Sequence, residues 1–96
     1  MKKLVFLIFN SALEPEVLEL LKKESVSCYT RWDKVKGVGE CGPHFYDDVW
    51  PAANTVIMCA MDQEKKNQIA EGVKKIRDQF PKEGIKMLIM PFEEIV

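Results

Sequence analysis

Cysteine is scarce in this 96-residue chain: there are three, Cys28, Cys41 and Cys59, and no two of them form a C-x-x-C pair. An odd, sparse set makes no disulfide framework, and without the paired spacing a redox motif or a zinc ribbon is not expected. Thiols in a reducing compartment are the expectation. Histidine is scarcer still, with His44 alone, and no acid–base constellation of the kind an enzyme needs can be assembled. Neither sign of charge is in excess: Lys and Arg number 14 against 15 Asp and Glu, a net charge of −1. Such a balance offers no basic field to nucleic acid or to an anionic membrane. Long hydrophobic runs are missing too. The apolar run after Met1-Lys2-Lys3 covers only residues 4–9 and stops at Asn10, whereas a signal-peptide core is longer and a membrane-spanning helix needs about 20 apolar residues. The run reads as a buried strand, and the protein as cytoplasmic, with no membrane insertion and no nucleic-acid partner.

What is present is a globular composition, 47% hydrophobic and 30% charged, in a chain the length of one domain, residues 1–96. Residues 3–9 are β-branched, aromatic and continuously apolar, the pattern of a strand covered on both faces. Asn10, Ser11 and Ala12 form a turn. Pro15 suits the first turn of a helix that carries Leu13, Val17, Leu20 and Leu21 on one stripe, with its acids first and lysines last. A second strand is expected over about 25–36, followed by a glycine-marked loop over about 37–54. Residues 55–61 form a third, fully apolar strand. Asp62 caps a second helix whose stripe is Ile69, Val73, Ile76 and Phe80. Pro81 and Gly84 end that helix, and residues 85–90 make the last strand before a short tail.

The order strand, helix, strand, strand, helix, strand is the split β-α-β pattern of an α+β, ferredoxin-like βαββαβ domain: a four-stranded antiparallel sheet with two helices on one face. The other face is then bare. Phe6 and Phe9, or Met58 and Met61, cannot both lie under the helices, so something must cover the second face, and another copy of the chain is the economical answer.

Two stretches sit on these elements in a telling order. The second strand runs into Val35-Lys36-Gly37-Val38-Gly39, and the chain closes on Leu88-Ile89-Met90-Pro91-Phe92-Glu93-Glu94-Ile95-Val96. In this the sequence resembles the nitrogen-regulatory PII signalling proteins and the wider PII-like superfamily that includes the CutA proteins. The first stretch is similar to the V-K-G-x-G entry into that family's long loop, and the second to its last strand and acidic pair. The resemblance implies a homotrimer with its sheets facing the centre and ligand clefts between subunits. It also implies a non-enzymatic signalling role, in which the loop docks on a target protein such as a membrane transporter. Members that grip ATP carry T-G-x-x-G-D-G-K before the last strand; here residues 80–86 read Phe-Pro-Lys-Glu-Gly-Ile-Lys. An adenine nucleotide is thus an expected cofactor class without its phosphate-gripping loop.

The residues expected to bind the ligand are Lys36, Gly37, Val38 and Gly39, which can bring backbone N–H groups close to it, together with Lys86. Cys41 and His44 form a C-x-x-H pair, and thiolate plus imidazole suit zinc or copper. With Asp47 or Asp48 from the same loop, and with neighbouring subunits, they give a second reading: a metal-binding or metal-responsive trimer related to heavy-metal efflux. An unpartnered, exposed Cys and His is the plainer alternative. Arg31 and Lys34 could take a phosphate or carboxylate, or simply guard an edge strand. Trp32, Phe45, Tyr46 and Trp50 could anchor a partner or pack the loop. Cys28 and Cys59 are expected as small core residues.

Overall fold

The structure is a computed structural model. It describes residues 2–39, 42–44 and 53–96, with the backbone alone at 39 and 42–44. The elements are β1 (Lys2–Asn10), a 3-10 turn (Ser11–Leu13), α1 (Glu14–Lys23), β2 (Thr30–Val35), β3 (Gly37–Gly39), β4 (Gly42–His44), β5 (Asn54–Asp62), α2 (Gln63–Gln79) and β6 (Ile85–Pro91). Four strands form one sheet in the order β2-β5-β1-β6, every neighbouring pair antiparallel. This is the ferredoxin-like arrangement expected from the sequence.

Alternation along the strands divides the sheet into two faces. Val5, Leu7 and Phe9 of β1, Ile57, Cys59 and Met61 of β5, and Ile85 of β6 join Leu13, Val17 and Leu21 and the α2 residues Ile69, Val73 and Ile76 in one buried cluster. Both helices therefore cover the same face. The intervening residues, Leu4, Phe6, Ile8, Val56, Met58 and Ala60, are only half-buried. Trp32 and Leu88 on that second face remain 45% and 44% exposed. The expectation that Phe6 and Phe9, and Met58 and Met61, part to opposite faces is met, and it leaves an open apolar surface across all four strands.

The helices begin and end where the side chains dictate. Pro15 lies in the first turn of α1, Glu14 and Glu16 stand at its N-terminus and Lys22 and Lys23 at its C-terminus, complementing the dipole. Asp62 accepts from the Lys65 N–H at 2.8 Å, the N-cap expected for α2. The Lys65 ammonium in turn donates to the Glu24 carbonyl at the end of α1, where a cation and a donor are both favoured. Gly72 lets the helices approach: a Cβ there would lie 2.2 Å from a Leu20 methyl.

The second strand starts later than the expected 25–36. The Val26 N–H is turned back onto the Leu21 carbonyl at 2.8 Å and the Ser25 N–H onto Lys22 at 3.1 Å, the Schellman end of a helix. Ser25 takes the left-handed conformation, with φ 61°, so it cannot begin a strand, and pairing starts only at Thr30. A side chain in this conformation is disfavoured and glycine is not. Ser25→Gly should raise the unfolding free energy by about 0.5–1 kcal/mol in urea titrations; a loss of stability would contradict this reading of the helix end.

Part of the expected 37–54 loop is a hairpin. Gly37, Val38 and Gly39 pair with His44, Pro43 and Gly42. Pro91 belongs to the last strand rather than to the tail, opposite Lys3; on an edge strand its missing N–H costs nothing.

Candidate functional site

One end of the sheet gathers the ends of several elements. Asn10 closing β1 pairs with Asn54 opening β5, Asn54 pairs with Val35 closing β2, and the Asn10 N–H donates to the Gly84 carbonyl just before β6. At this end lies a cleft of about 590 Å³, walled by Asn10, Ser11 and Ala12, by Glu14, Arg31, Asp33 and Lys34, and by Ala53, Thr55 and Glu83.

Asn10 organises the floor. Its side-chain carbonyl accepts from the Ala12 N–H at 2.9 Å, and its amide donates to the Glu83 carboxylate at 2.6 Å. One nearly buried side chain thereby fixes both the turn after β1 and the turn before β6. Beside it the Ser11 and Thr55 hydroxyls share a hydrogen bond of 2.9 Å, and the Ser11 N–H donates to the Ala53 carbonyl at 2.8 Å. These bonds satisfy the polar groups that the cleft floor takes out of water.

The cleft's outer wall is an irregularity in β2. Trp32 stands opposite Val56 and Val35 opposite Asn54, so Asp33 and Lys34 together oppose Thr55, a β-bulge. Lys34 adopts φ 57°, which bends the strand where it leads into Lys36 and the β3–β4 hairpin. Arg31, one step earlier, reaches over the helix face. Its guanidinium meets the Glu14 carboxylate and donates through Nε to Asp33 at 2.7 Å. The hydrogen bond to Asp33, helped by the Glu14 charge and opposed by partial burial, raises the guanidinium pKa above its ordinary value. Arg31 is a permanent cation. The walls together hold three carboxylates against two cations.

Lys36, Gly37, Val38 and Gly39 form the exit from β2 and the first arm of the hairpin, and none of the four is among the residues that wall the cleft. Gly37 has a steric reason to be glycine: a Cβ there would lie 2.7 Å from the Asn54 amide nitrogen. Lys86 is not brought to the same side. It pairs with Ile8 and stands between Ile85 and Met87 on the strand, so it lies on the open face of the sheet near the same end. The cleft walls themselves are Arg31 and Lys34, read in the sequence as edge charges or anion ligands, and the Asn10–Glu83 and Ser11–Thr55 pairs. Those pairs join positions far apart in the chain and have no local sequence signal.

Cys41 lies outside the described residues, as do Phe45, Tyr46, Asp47, Asp48 and Trp50, and His44 is described by its backbone alone. Among the described residues no group of three or more His, Cys, Asp and Glu is placed to hold a metal ion. Cys59 is buried and donates its thiol hydrogen to the Cys28 carbonyl at 3.2 Å. Burial, and secondarily the neighbouring Cys28, pushes its thiol pKa up, which suits a core residue and not a nucleophile. Cys28 is exposed, so its expected place in the core is corrected: it lies on the unpaired stretch before β2. No helix among the described residues is long and apolar enough to cross a membrane.

Comparison with known proteins gives the same picture. The family model for nitrogen regulatory protein P-II matches residues 1–96. No curated protein matches the chain. Among solved structures, CPII, a nitrogen regulatory PII-like protein from Thiomonas intermedia K12 bound to ADP, AMP and bicarbonate, superposes with a TM-score of 0.74 at 20% identity, covering 93% of this chain and 89% of that one. The same protein bound to ADP and bicarbonate gives 0.72 at 23% identity over 92% and 82%. A functionally unknown protein from Pediococcus pentosaceus ATCC 25745 gives 0.67 at 16% identity over 99% and 95%. At these identities the likeness establishes the fold.

Proposed function

Because this chain belongs to the nitrogen regulatory protein P-II family, whose members are regulatory and not enzymatic, we propose that it is a trimeric signalling protein. In this reading an adenine nucleotide enters the cleft at the base of the hairpin, and a target protein reads the change through the loop 37–54. The observation that carries the proposal is the position of the cleft. It is walled by the bulge at Asp33 and Lys34, so whatever binds there touches the strand that leads into the hairpin. Order and orientation of such a segment are what regulatory proteins of this kind change on binding a ligand.

The open sheet face supports the assembly. Its apolar residues extend over four strands, a surface that water does not tolerate well and a symmetric oligomer covers. In the proposed trimer the ligand site lies between subunits. A membrane transporter is one class of target such a hairpin could plug, and a soluble enzyme is another.

The wall charges support a nucleotide of low charge. Three carboxylates repel a triphosphate, and the glycine-rich phosphate loop is absent, while hydroxyls, an amide and one cationic pair suit a nucleoside mono- or diphosphate. CPII binds ADP and AMP. Calorimetry with AMP, ADP and ATP, paired with limited proteolysis of the loop 37–54, tests this. AMP or ADP should bind more tightly than ATP and change the cleavage rate within that segment. Equal cleavage with and without every nucleotide would refute the signalling reading.

A further inference from the structure

The bulge in β2 decides which face Lys34 occupies. Trp32 lies on the open face, opposite Val56. In an unbroken strand Asp33 would then fall on the helix face, Lys34 on the open face and Val35 on the helix face. The two-for-one count at Thr55 breaks that alternation: Val35 comes to stand opposite Asn54, and Lys34 lines the cleft. Lys34 does so in the left-handed conformation, with φ 57°, which disfavours an ordinary side chain by roughly 5- to 30-fold in population. The irregularity also lies at the last rung of the ladder. β2 is an edge strand, and of its pairs with β5 only Val35 with Asn54 lies beyond the bulge, while Thr30, Arg31 and Trp32 are paired before it. Straightening the strand therefore exchanges a single pair and relieves a strained residue. It also turns the side chains from Val35 onward to the opposite face. Opposing the slip is the close seat of Gly37 on Asn54, where a Cβ would lie 2.7 Å from the amide nitrogen.

We propose that β2 has two registers, bulged and straight, and that Lys34 is the latch between them. An occupied cleft holds Lys34 and with it the bulge; an emptied cleft lets Lys34 pass to the open face and replace Val35 opposite Asn54. This rests on the cleft being the ligand site. The bulged register is the one the structure adopts, and it is the binding-competent one. The strain at Lys34 brings the two registers close in free energy, so a single ligand contact is enough to fix one of them. An anionic group in the cleft attracts the Lys34 ammonium in the bulged register and loses it in the straight one, and that difference couples the cleft to the hairpin. A one-residue slip reverses the faces of Val35, Lys36 and Val38. The loop 37–54 is thereby presented to its target in two discrete orientations.

Nuclear magnetic resonance of the full chain reads the register from the residue that stands opposite Asn54, and calorimetry with ADP reads the cleft. Lys34→Gly and Lys34→Val both remove the ammonium, but glycine accepts the left-handed conformation and valine opposes it. Lys34→Gly should keep Val35 opposite Asn54, whereas Lys34→Val should put position 34 there. Lys34→Gly should also bind ADP about fivefold more tightly than Lys34→Val, while loss of charge alone predicts equal affinities. In the wild type, relaxation dispersion over residues 33–38 should show exchange between registers that saturating ADP suppresses, and Lys34→Gly should suppress it without ADP. Equal ADP affinities in the two variants, Val35 opposite Asn54 in both, or no exchange in the free wild type each overturns the latch. ADP binding by the wild type in those cases leaves the nucleotide reading standing, whereas a wild type that binds no nucleotide overturns the latch and that reading together. Should Lys34→Val fail to fold by circular dichroism, Lys34→Thr, also β-branched, carries the same expectations.

Discussion

For the trimer proposed above, Phe6→Asp should give monomers and abolish ligand binding together. Phe6 lies mid-strand on the open face, opposite Met58 on one side and Leu88 on the other. In one chain it is only half-buried, so a carboxylate there stays hydrated and the monomer folds. In a trimer the same carboxylate is taken out of water beside its symmetry copies. Burying an unpaired charge costs several kcal/mol per group, and three copies multiply that cost. Sedimentation velocity should show a single slow species whose circular dichroism matches the wild type, with nucleotide affinity lost because the cleft has lost its neighbouring subunit. A Phe6→Asp variant that still sediments as the wild type would show that this face does not carry the assembly.

Asn10→Ala should be the most damaging single change to the cleft. The side chain makes two bonds, one from the Ala12 N–H and one to the Glu83 carboxylate, and it is nearly buried. Removing it strands a backbone donor and a partly buried charged acceptor. Hydrogen bonds to charged groups are worth about 1.5–3 kcal/mol and neutral ones about 1 kcal/mol, so the variant should lose about 2–4 kcal/mol in denaturant titrations. The turns at 11–13 and 80–84 would lose their common tether, and nucleotide binding should weaken further than the loss of stability explains. A stability within a few tenths of a kcal/mol of wild type would mean that the network is incidental.

Much of the architecture could be read before the structure, because its cause is local. The stripe of Ile69, Val73 and Ile76, the cap at Asp62 and the apolar runs in β1 and β5 are periodicities and single-residue chemistry. They settle the order of elements and thereby the sheet. The excess of apolar residues on both faces of β1 and β5 marked the open surface for the same reason. Conformational exceptions were less visible. Serine does not advertise the left-handed conformation that Ser25 adopts, so the pattern alone puts the start of β2 several residues before Thr30. The same holds for Lys34, whose conformation makes the bulge. The cleft was the least legible part. The V-K-G-x-G stretch only follows the strand that walls it, and Asn10 meets Glu83 and Ser11 meets Thr55 across separations of 73 and 44 residues. A pairing of that kind exists only once the sheet has brought four chain ends together. Arg31 reads in the sequence as a charge beside the loop; that Glu14 and Asp33 hold it is a fact of the packing.

The most direct test of the central claim is the mass of the native protein measured under gentle conditions in the presence of ADP. A signalling trimer with clefts between its subunits predicts a species of three chains that carries added mass in steps of one nucleotide, and a Phe6→Asp protein that shows one chain and no added mass. A wild-type protein found as a single bare chain at all concentrations would contradict the account, since it would leave the cleft without its second wall and the apolar face of the sheet without a partner.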